Sequence, residues 1–307
     1  MAPRATRSAS RKARVTEAVA TGPLGALSHD ELGVIFDGLA DPLQPVVAVA
    51  LSSTCRGLRT PLRAALEVLK ERHERAVALC RRVGTRYAQL RDADELHWQQ
   101  FRFRTADDAA TLGMLLRTNG LPKLEKLWLM HNGLDDTVMQ ALCEGLGRGA
   151  APSLHTLVLN GNKFGPAGAE AFAAALRRGA MPKLKWLGVA DNQLGSRGVT
   201  ALASPLRNLP ALKTLNLMGC EIGAEGVASL VANLGKDDFK KLEHLWLAQN
   251  KVTDAGMTTL AAVLDDGGLP RLRNHEMKSF DWFFVGKNPA SAPAIQAAMH
   301  ALARRSQ

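Results

Sequence analysis

This 307-residue chain has a single tyrosine, and aromatic residues make up only 5% of it. The five tryptophans therefore carry unusual weight, and their positions are worth tracing. Long apolar runs are missing too: the longest, Pro45 to Leu51, falls far short of the roughly 18 residues a membrane-spanning helix needs. That excludes a helical membrane protein. Cysteine is scarce, with Cys55, Cys80, Cys143 and Cys220 at least 25 residues apart and no CxxC pair among them. Neither a disulfide framework nor a zinc site fits that spacing. Four free thiols with no secretory leader lead us to expect a cytoplasmic or nuclear location.

Catalytic signatures are likewise absent. There is no Walker loop, no GxSxG elbow, no HExxH and no pair of carboxylates converging on a pocket. The eight histidines are dispersed, and the acidic pairs Asp135-Asp136, Asp237-Asp238 and Asp265-Asp266 fall in turns or helix ends. We expect neither an enzyme nor a bound metal or cofactor.

What is present is basic charge, a formal +10, unevenly distributed. Residues 1–16 hold five bases and no acid, 17–55 hold five acids and no base, and 56–91 hold ten bases against three acids. Residues 92–307 carry 24 bases and 21 acids, so most of the mass is nearly neutral. A nucleic-acid surface would need that charge on its binding face, and nucleic acid is not the expected partner.

The large remainder repeats. The pattern L-x-x-L-x-L-x-x-N/C-x-L runs through Leu124, Leu127, Leu129, Asn132 and Leu134, then restarts at Leu154, Leu184, Leu212 and Leu242, spaced 30, 30, 28 and 30 residues apart. A looser copy follows at Phe280, Phe283, Val285 and Asn288, after about eight inserted residues near 273–279. Upstream, Trp98, Phe101 and Phe103 fit the leading apolar positions and predict a degenerate cap repeat. The L-x-L alternation predicts a short strand with its leucines inward. Glycine pairs such as Gly165 and Gly168 suit a tight turn before an amphipathic helix, marked by Val199, Leu202 and Leu206 or by Met257, Leu260 and Leu264. No single strand-helix unit can bury both faces alone, so the units must stack.

These motifs resemble the leucine-rich repeats of the ribonuclease-inhibitor type. The resemblance implies an α/β fold, a right-handed leucine-rich-repeat solenoid with parallel strands on its concave side and helices on its convex side, over residues 92–307. It implies a protein partner on the concave face.

Near the start, Leu27, Asp30, Leu32, Ile35, Phe36 and Leu39, followed by Cys55 and Leu58, resemble the F-box. The sequence departs from that pattern at Ser28, where proline is usual, in a longer stretch up to Cys55, and at Leu58, where tryptophan is common. An F-box ahead of leucine-rich repeats is a familiar order. It implies a small all-α region at 23–60 that docks on a Skp1-like adaptor of a cullin ubiquitin ligase complex, with the repeats holding the substrate. By that resemblance Leu27, Ile35, Phe36 and Leu39 are adaptor contacts or their local core. The alternative is a stand-alone repeat scaffold, acting as an inhibitor, a sensor or a GTPase regulator, whose N-terminal helices only cap the solenoid. Between the two parts, residues 61–91 predict a linker helix, and residues 1–22, rich in Arg, Ser and Ala, predict a disordered basic tail, with a transit peptide or a nuclear signal as alternatives.

Register assigns the concave face. The strand positions between inward leucines read Gln100, Lys126, Thr156, Trp186, Thr214, His244 and Trp282 in one column, and Arg102, Trp128, Val158, Gly188, Asn216, Trp246 and Phe284 in the next. A third column includes Arg104 and Met130. Four of five tryptophans fall on this face, and exposed aromatic patches mark interaction sites. We expect Trp186 and two groups to bind the partner: His244, Trp246, Trp282 and Phe284, and a basic aromatic group of Arg102, Arg104, Lys126, Trp128 and Met130. The alternative is that the rings stack on one another or on a tail folded into the concavity.

Overall fold

A computed structural model describes residues 29–53, 62–100, 105–118, 120–273 and 284–304. The chain divides into two compact units, with the boundary between Cys80 and Arg81, inside the stretch expected to be a linker. Leu27, Arg102, Arg104 and Trp282 lie outside the described residues, as does the N-terminal tail.

The first unit is helical: α1 (His29–Leu39), α2 (Val46–Ser53) and most of α3 (Arg63–Arg82). Leu32, Phe36 and Ala40 recur at four-residue spacing, which puts them on one helical face. They join Ala48, Leu62 and Leu69 in a small buried core, with Leu51 and Leu66 packed against it. In α3 Leu69, Ala76, Leu79 and Cys80 are buried, and the Glu71–Arg75 pair forms at 2.7 Å on its wet side. His73, in the apolar register, is held by a 2.7 Å bond between Nδ1 and the Pro42 carbonyl.

The second unit alternates strands and helices. After the short α4 (Tyr87–Leu90) come β1 (Glu95–His97), α5 (Ala106–Arg117), β2 (Lys126–Trp128), α6 (Asp136–Cys143), β3 (Thr156–Val158) and α7 (Pro166–Arg177). The pattern continues through β4 (Trp186–Gly188), α8 (Gly195–Arg207), β5 (Thr214–Asn216), α9 (Ala224–Val231), β6 (His244–Trp246), α10 (Asp254–Asp265) and α11 (Ala292–Ala303). The six strands form one parallel sheet in chain order, each strand's first residue opposite the next strand's first. The inward leucines of the repeat, among them Leu127, Leu157, Leu187, Leu215 and Leu245, are buried. The architecture is that expected of a leucine-rich-repeat solenoid.

The asparagine of each repeat closes the backbone between turns. Asn162 Oδ1 accepts the N–H groups of Asn132 and Leu134, while its Nδ2 donates to the carbonyls of Leu129 and Leu159. Asn250 does the same for Cys220, Ile222, Leu217 and Leu247. Cys220, which replaces an asparagine, points its thiol at the carbonyls of Val189 and Met218.

Helix starts are also shared between repeats. Asp135 caps its own helix through the Val138 N–H, but Asp136 reaches the next repeat and accepts from Gly165 and Gly168 at 2.6 and 2.8 Å. Ser196 and Asp254 occupy the same position and accept from Gly223 and Ser291. Gly168 is needed for this approach: a Cβ there would sit 2.8 Å from Asp136 Oδ1 and 2.9 Å from Phe164 Cβ. Helices α6 and α9 stop early, so Leu146 and Leu234 follow the helices rather than extending them. Their ends carry left-handed backbone at Gly145 (φ 70°) and Asn233 (φ 53°), which terminates a helix.

The cap repeat is registered differently from the sequence expectation. Its strand is Glu95-Leu96-His97, paired Glu95 to Lys126 and His97 to Trp128, so Trp98 takes the inward place of Leu129 and is buried. Leu96 and Trp98 supply the alternation expected of Phe101 and Phe103. Alanine at the leading position, Ala93, hid this register. Glu95 and His97 therefore hold the column positions that Gln100 and Arg102 were expected to hold.

At the other end, the looser copy keeps its expected register. The N–H groups of Leu247 and Gln249 bond the carbonyls of Phe284 and Gly286, as Leu217 and Gly219 bond Trp246 and Ala248. Asn288 repeats the asparagine bonds, to the carbonyls of Leu247 and Val285 and from the Val252 N–H.

Candidate functional site: the open face of the sheet

Alternate residues of each strand point away from the inward leucines, so β1 to β6 display two columns on the sheet's open face. Glu95, Lys126, Thr156, Trp186, Thr214 and His244 form one. His97, Trp128, Val158, Gly188, Asn216 and Trp246 form the other.

At the N-terminal end His97 and Trp128 stack with centroids 5.5 Å apart and planes 11° from parallel. Glu95 binds both Lys126 and His97, and these bonds, Lys126's first, hold its carboxyl below the usual carboxylate range. Lys126 is raised by the same partner. The basic aromatic group expected here is thus neutralised at its described members, because the corrected register brings an acid beside Lys126. Met130 is half-buried next in line.

Toward the other end, Trp186 and Trp246 meet edge to face, centroids 5.6 Å apart and planes at 87°. Their strands β4 and β6 are two positions apart, about 9.6 Å at the backbone, so the rings lean together over β5. Thr214 and Asn216 of β5, the strand between them, are both buried. Trp186 remains 37% exposed. Sequence reasoning placed Trp246 with His244, Trp282 and Phe284; the structure joins it to Trp186, while Trp282 lies outside the described residues. His244 is half-buried, and Phe284 is buried rather than open.

The floor between the two aromatic groups is low. Val158, Gly188 and Ala190 are buried, and a Cβ on Gly188 would lie 2.7 Å from Asn160 Oδ1. The small residue lets Asn160 reach the Ala190 N–H at 3.0 Å.

In the first unit, Phe36 is core, Ile35 half-buried and Leu39 exposed. Sequence reasoning missed Val34, Val46, Val47 and Val49, all exposed valines on α1 and α2. The signal was the Pro45 to Leu51 run itself, which is apolar around the whole helix and cannot be buried on every side.

On the helical side a cleft of about 400 Å³ is lined by Thr137, Gln140, Cys143, Glu144, Ala174 and Arg178 among others. Arg178 is committed to the carbonyls of Cys143 and Leu146. Burial pushes the thiols of Cys143 and Cys220 up to about 12 and that of Cys80 to about 11, so none is a nucleophile near neutral pH. Among the described residues no group of three or more His, Cys, Asp or Glu could hold a metal, and no helix is long and apolar enough to cross a membrane.

No curated protein matches the chain. Residues 150–173, 208–231 and 240–261 match the family model described as Leucine Rich repeat, covering β3 with most of α7, β5 with α9, and β6 with most of α10. The second unit therefore carries leucine-rich repeats, the architecture of a protein-protein interaction module.

Proposed function

We propose that this chain is the substrate-recognition subunit of a ubiquitin ligase, holding its target on the open face of ribonuclease-inhibitor-type repeats and docking on a Skp1-like adaptor and its cullin through the F-box-like first unit. It acts by binding and not by catalysis. The observation that carries the binding half is the Trp186–Trp246 pair on the open face, an aromatic surface with 37% of Trp186 in water. Full helices of 12 or 13 residues in α7, α8 and α10 support the repeat type. The docking half is supported by Val34, Leu39, Val46, Val47 and Val49, exposed on two helices that pack around the Phe36 core. Phe36 itself supports that core, so a charge there tests folding rather than docking.

Affinity purification of the full chain followed by mass spectrometry tests the docking half. The adaptor and cullin are expected to co-purify with the native chain and to be lost when Leu39 and Val47 are both changed to Asp, with helix content unchanged. Their absence from the native sample, or their retention by that variant, would leave the stand-alone scaffold as the reading.

A further inference from the structure

The open face is not electrically uniform along its length, and its leading edge is where the difference lies. The residue just before each strand forms a backbone ladder of its own. The N–H of Glu125 bonds Asp94, His155 bonds Glu125, Lys185 bonds His155, Lys213 bonds Lys185, Glu243 bonds Lys213 and Arg273 bonds Glu243. Read along the sheet, this column begins with two acids, passes His155 and is basic at Lys185, Lys213 and Arg273, with Glu243 between the last two.

Most of the charges are already matched. His155 pairs with Glu125 at 3.1 Å, and Lys213 with Glu243 at 2.9 Å. Glu243 also feels Arg273, and its carboxyl is lowered, chiefly by the Lys213 bond. Lys240 is matched by Asp237, and Arg207 faces Asp238 at 3.9 Å. Among the described residues Lys185 has no ion-pair partner; it is exposed, directly before Trp186, with a cation and a committed His155 as its ladder neighbours. Lys183, Lys241 and Arg271 share the position two residues earlier in their repeats and are exposed as well. The equivalent at the N-terminal end, Lys123, is bridged to Asp92.

We infer that the Trp186–Trp246 corner and this basic edge form one docking site for an acidic, extended segment of a protein partner. An aromatic or aliphatic side chain of the segment seats on the exposed Trp186 ring and the half-buried Trp246 beside it. Its flanking Asp or Glu residues face Lys183, Lys185, Lys241 and Arg271. Asp94 and Glu125 repel such a segment from the other end, where Glu95 already holds Lys126, so the charge gradient fixes its position along the sheet. The inference rests on the proposal that the open face binds protein.

A random peptide library displayed against the immobilised full chain tests it. Selection is run in parallel on the native chain, on Trp186→Ala/Trp246→Ala, on Lys183→Glu/Lys185→Glu and on His97→Ala/Trp128→Ala, each checked for native helix content. The expected winners carry net negative charge around an aromatic or aliphatic residue. They should bind the lysine variant about tenfold more weakly or worse, lose binding to the tryptophan variant, and weaken as salt rises. Winners that need the tryptophans but are neutral or basic would overturn the inference while leaving open-face binding standing. Winners indifferent to the tryptophans would overturn it as well. Failure to enrich any sequence that depends on either aromatic pair would overturn both.

Discussion

The two ends of the open face hold aromatic pairs of similar separation, 5.5 Å for His97–Trp128 and 5.6 Å for Trp186–Trp246, yet they are different surfaces. The first is a flat stack on adjacent strands, edged by Glu95, Asp94 and Glu125. The second bridges two strands over buried Thr214 and Asn216, edged by Lys183 and Lys185. The same repeat positions produce both. The inward leucines and the asparagines fix the fold, while the open columns are free to vary in ring, size and charge, and recognition is written there.

The largest expected effect probes the frame that both ends share. Asn162→Ala leaves the N–H groups of Asn132 and Leu134 and the Leu129 carbonyl without their partner, Leu159 keeping Asn192, and should cost about 3 kcal/mol in urea unfolding of the second unit. Asn288→Ala removes similar bonds from a half-buried edge position and should cost about 1 kcal/mol. Equal losses would show that the C-terminal edge is as tightly built as the interior.

A double-mutant cycle on Trp186 and Trp246, each changed to Ala, should give a coupling of about 1 kcal/mol in the same unfolding measurement, the worth of an edge-to-face pair. Additive losses would mean that the rings are not in contact in solution. Cys220→Asn, in the turn after β5, should be a small gain of about 0.5 kcal/mol. It supplies two amide N–H groups where one thiol now faces the carbonyls of Val189 and Met218. A loss would mean that the close-packed turn tolerates only the smaller thiol.

Acid should erase the contrast between the ends. Glu95 and Glu243 both have carboxyls held below their ordinary values by lysine partners. Each therefore contributes stability above the unfolded carboxylate pKa, and that contribution is lost as pH falls through the lowered one. Below about pH 4 both ends become basic, and melting temperature should fall. A melting temperature unchanged from neutral pH into that range would contradict both pairings.

Much of this was legible in the sequence because a repeat states its register many times over. Leu127, Asn162, Trp186 and Trp246 lie in the columns their spacing assigns. The cap failed for a physical reason: Ala93 stands where a leucine would announce the repeat, and Trp98 is equally apolar as a leading or an inward residue. Side-chain direction was also beyond the pattern. Register places Trp186 and Trp246 two strands apart but does not say that they lean across β5 and touch. Phe284 sits in the column assigned to it, yet it is buried, which spacing alone does not reveal. In the first unit, periodicity found Leu32 and Phe36, while the uninterrupted run at Val46 to Val49 gave no way to choose which valines face water.

The most direct test of the account is quantitative co-purification from cells with two folded variants of the full chain, one altered at each end. Trp186→Ala/Trp246→Ala should lose the partner that the native chain retains, and His97→Ala/Trp128→Ala should keep it. Equal capture by the native chain and the Trp186/Trp246 variant would contradict the assignment of the binding surface.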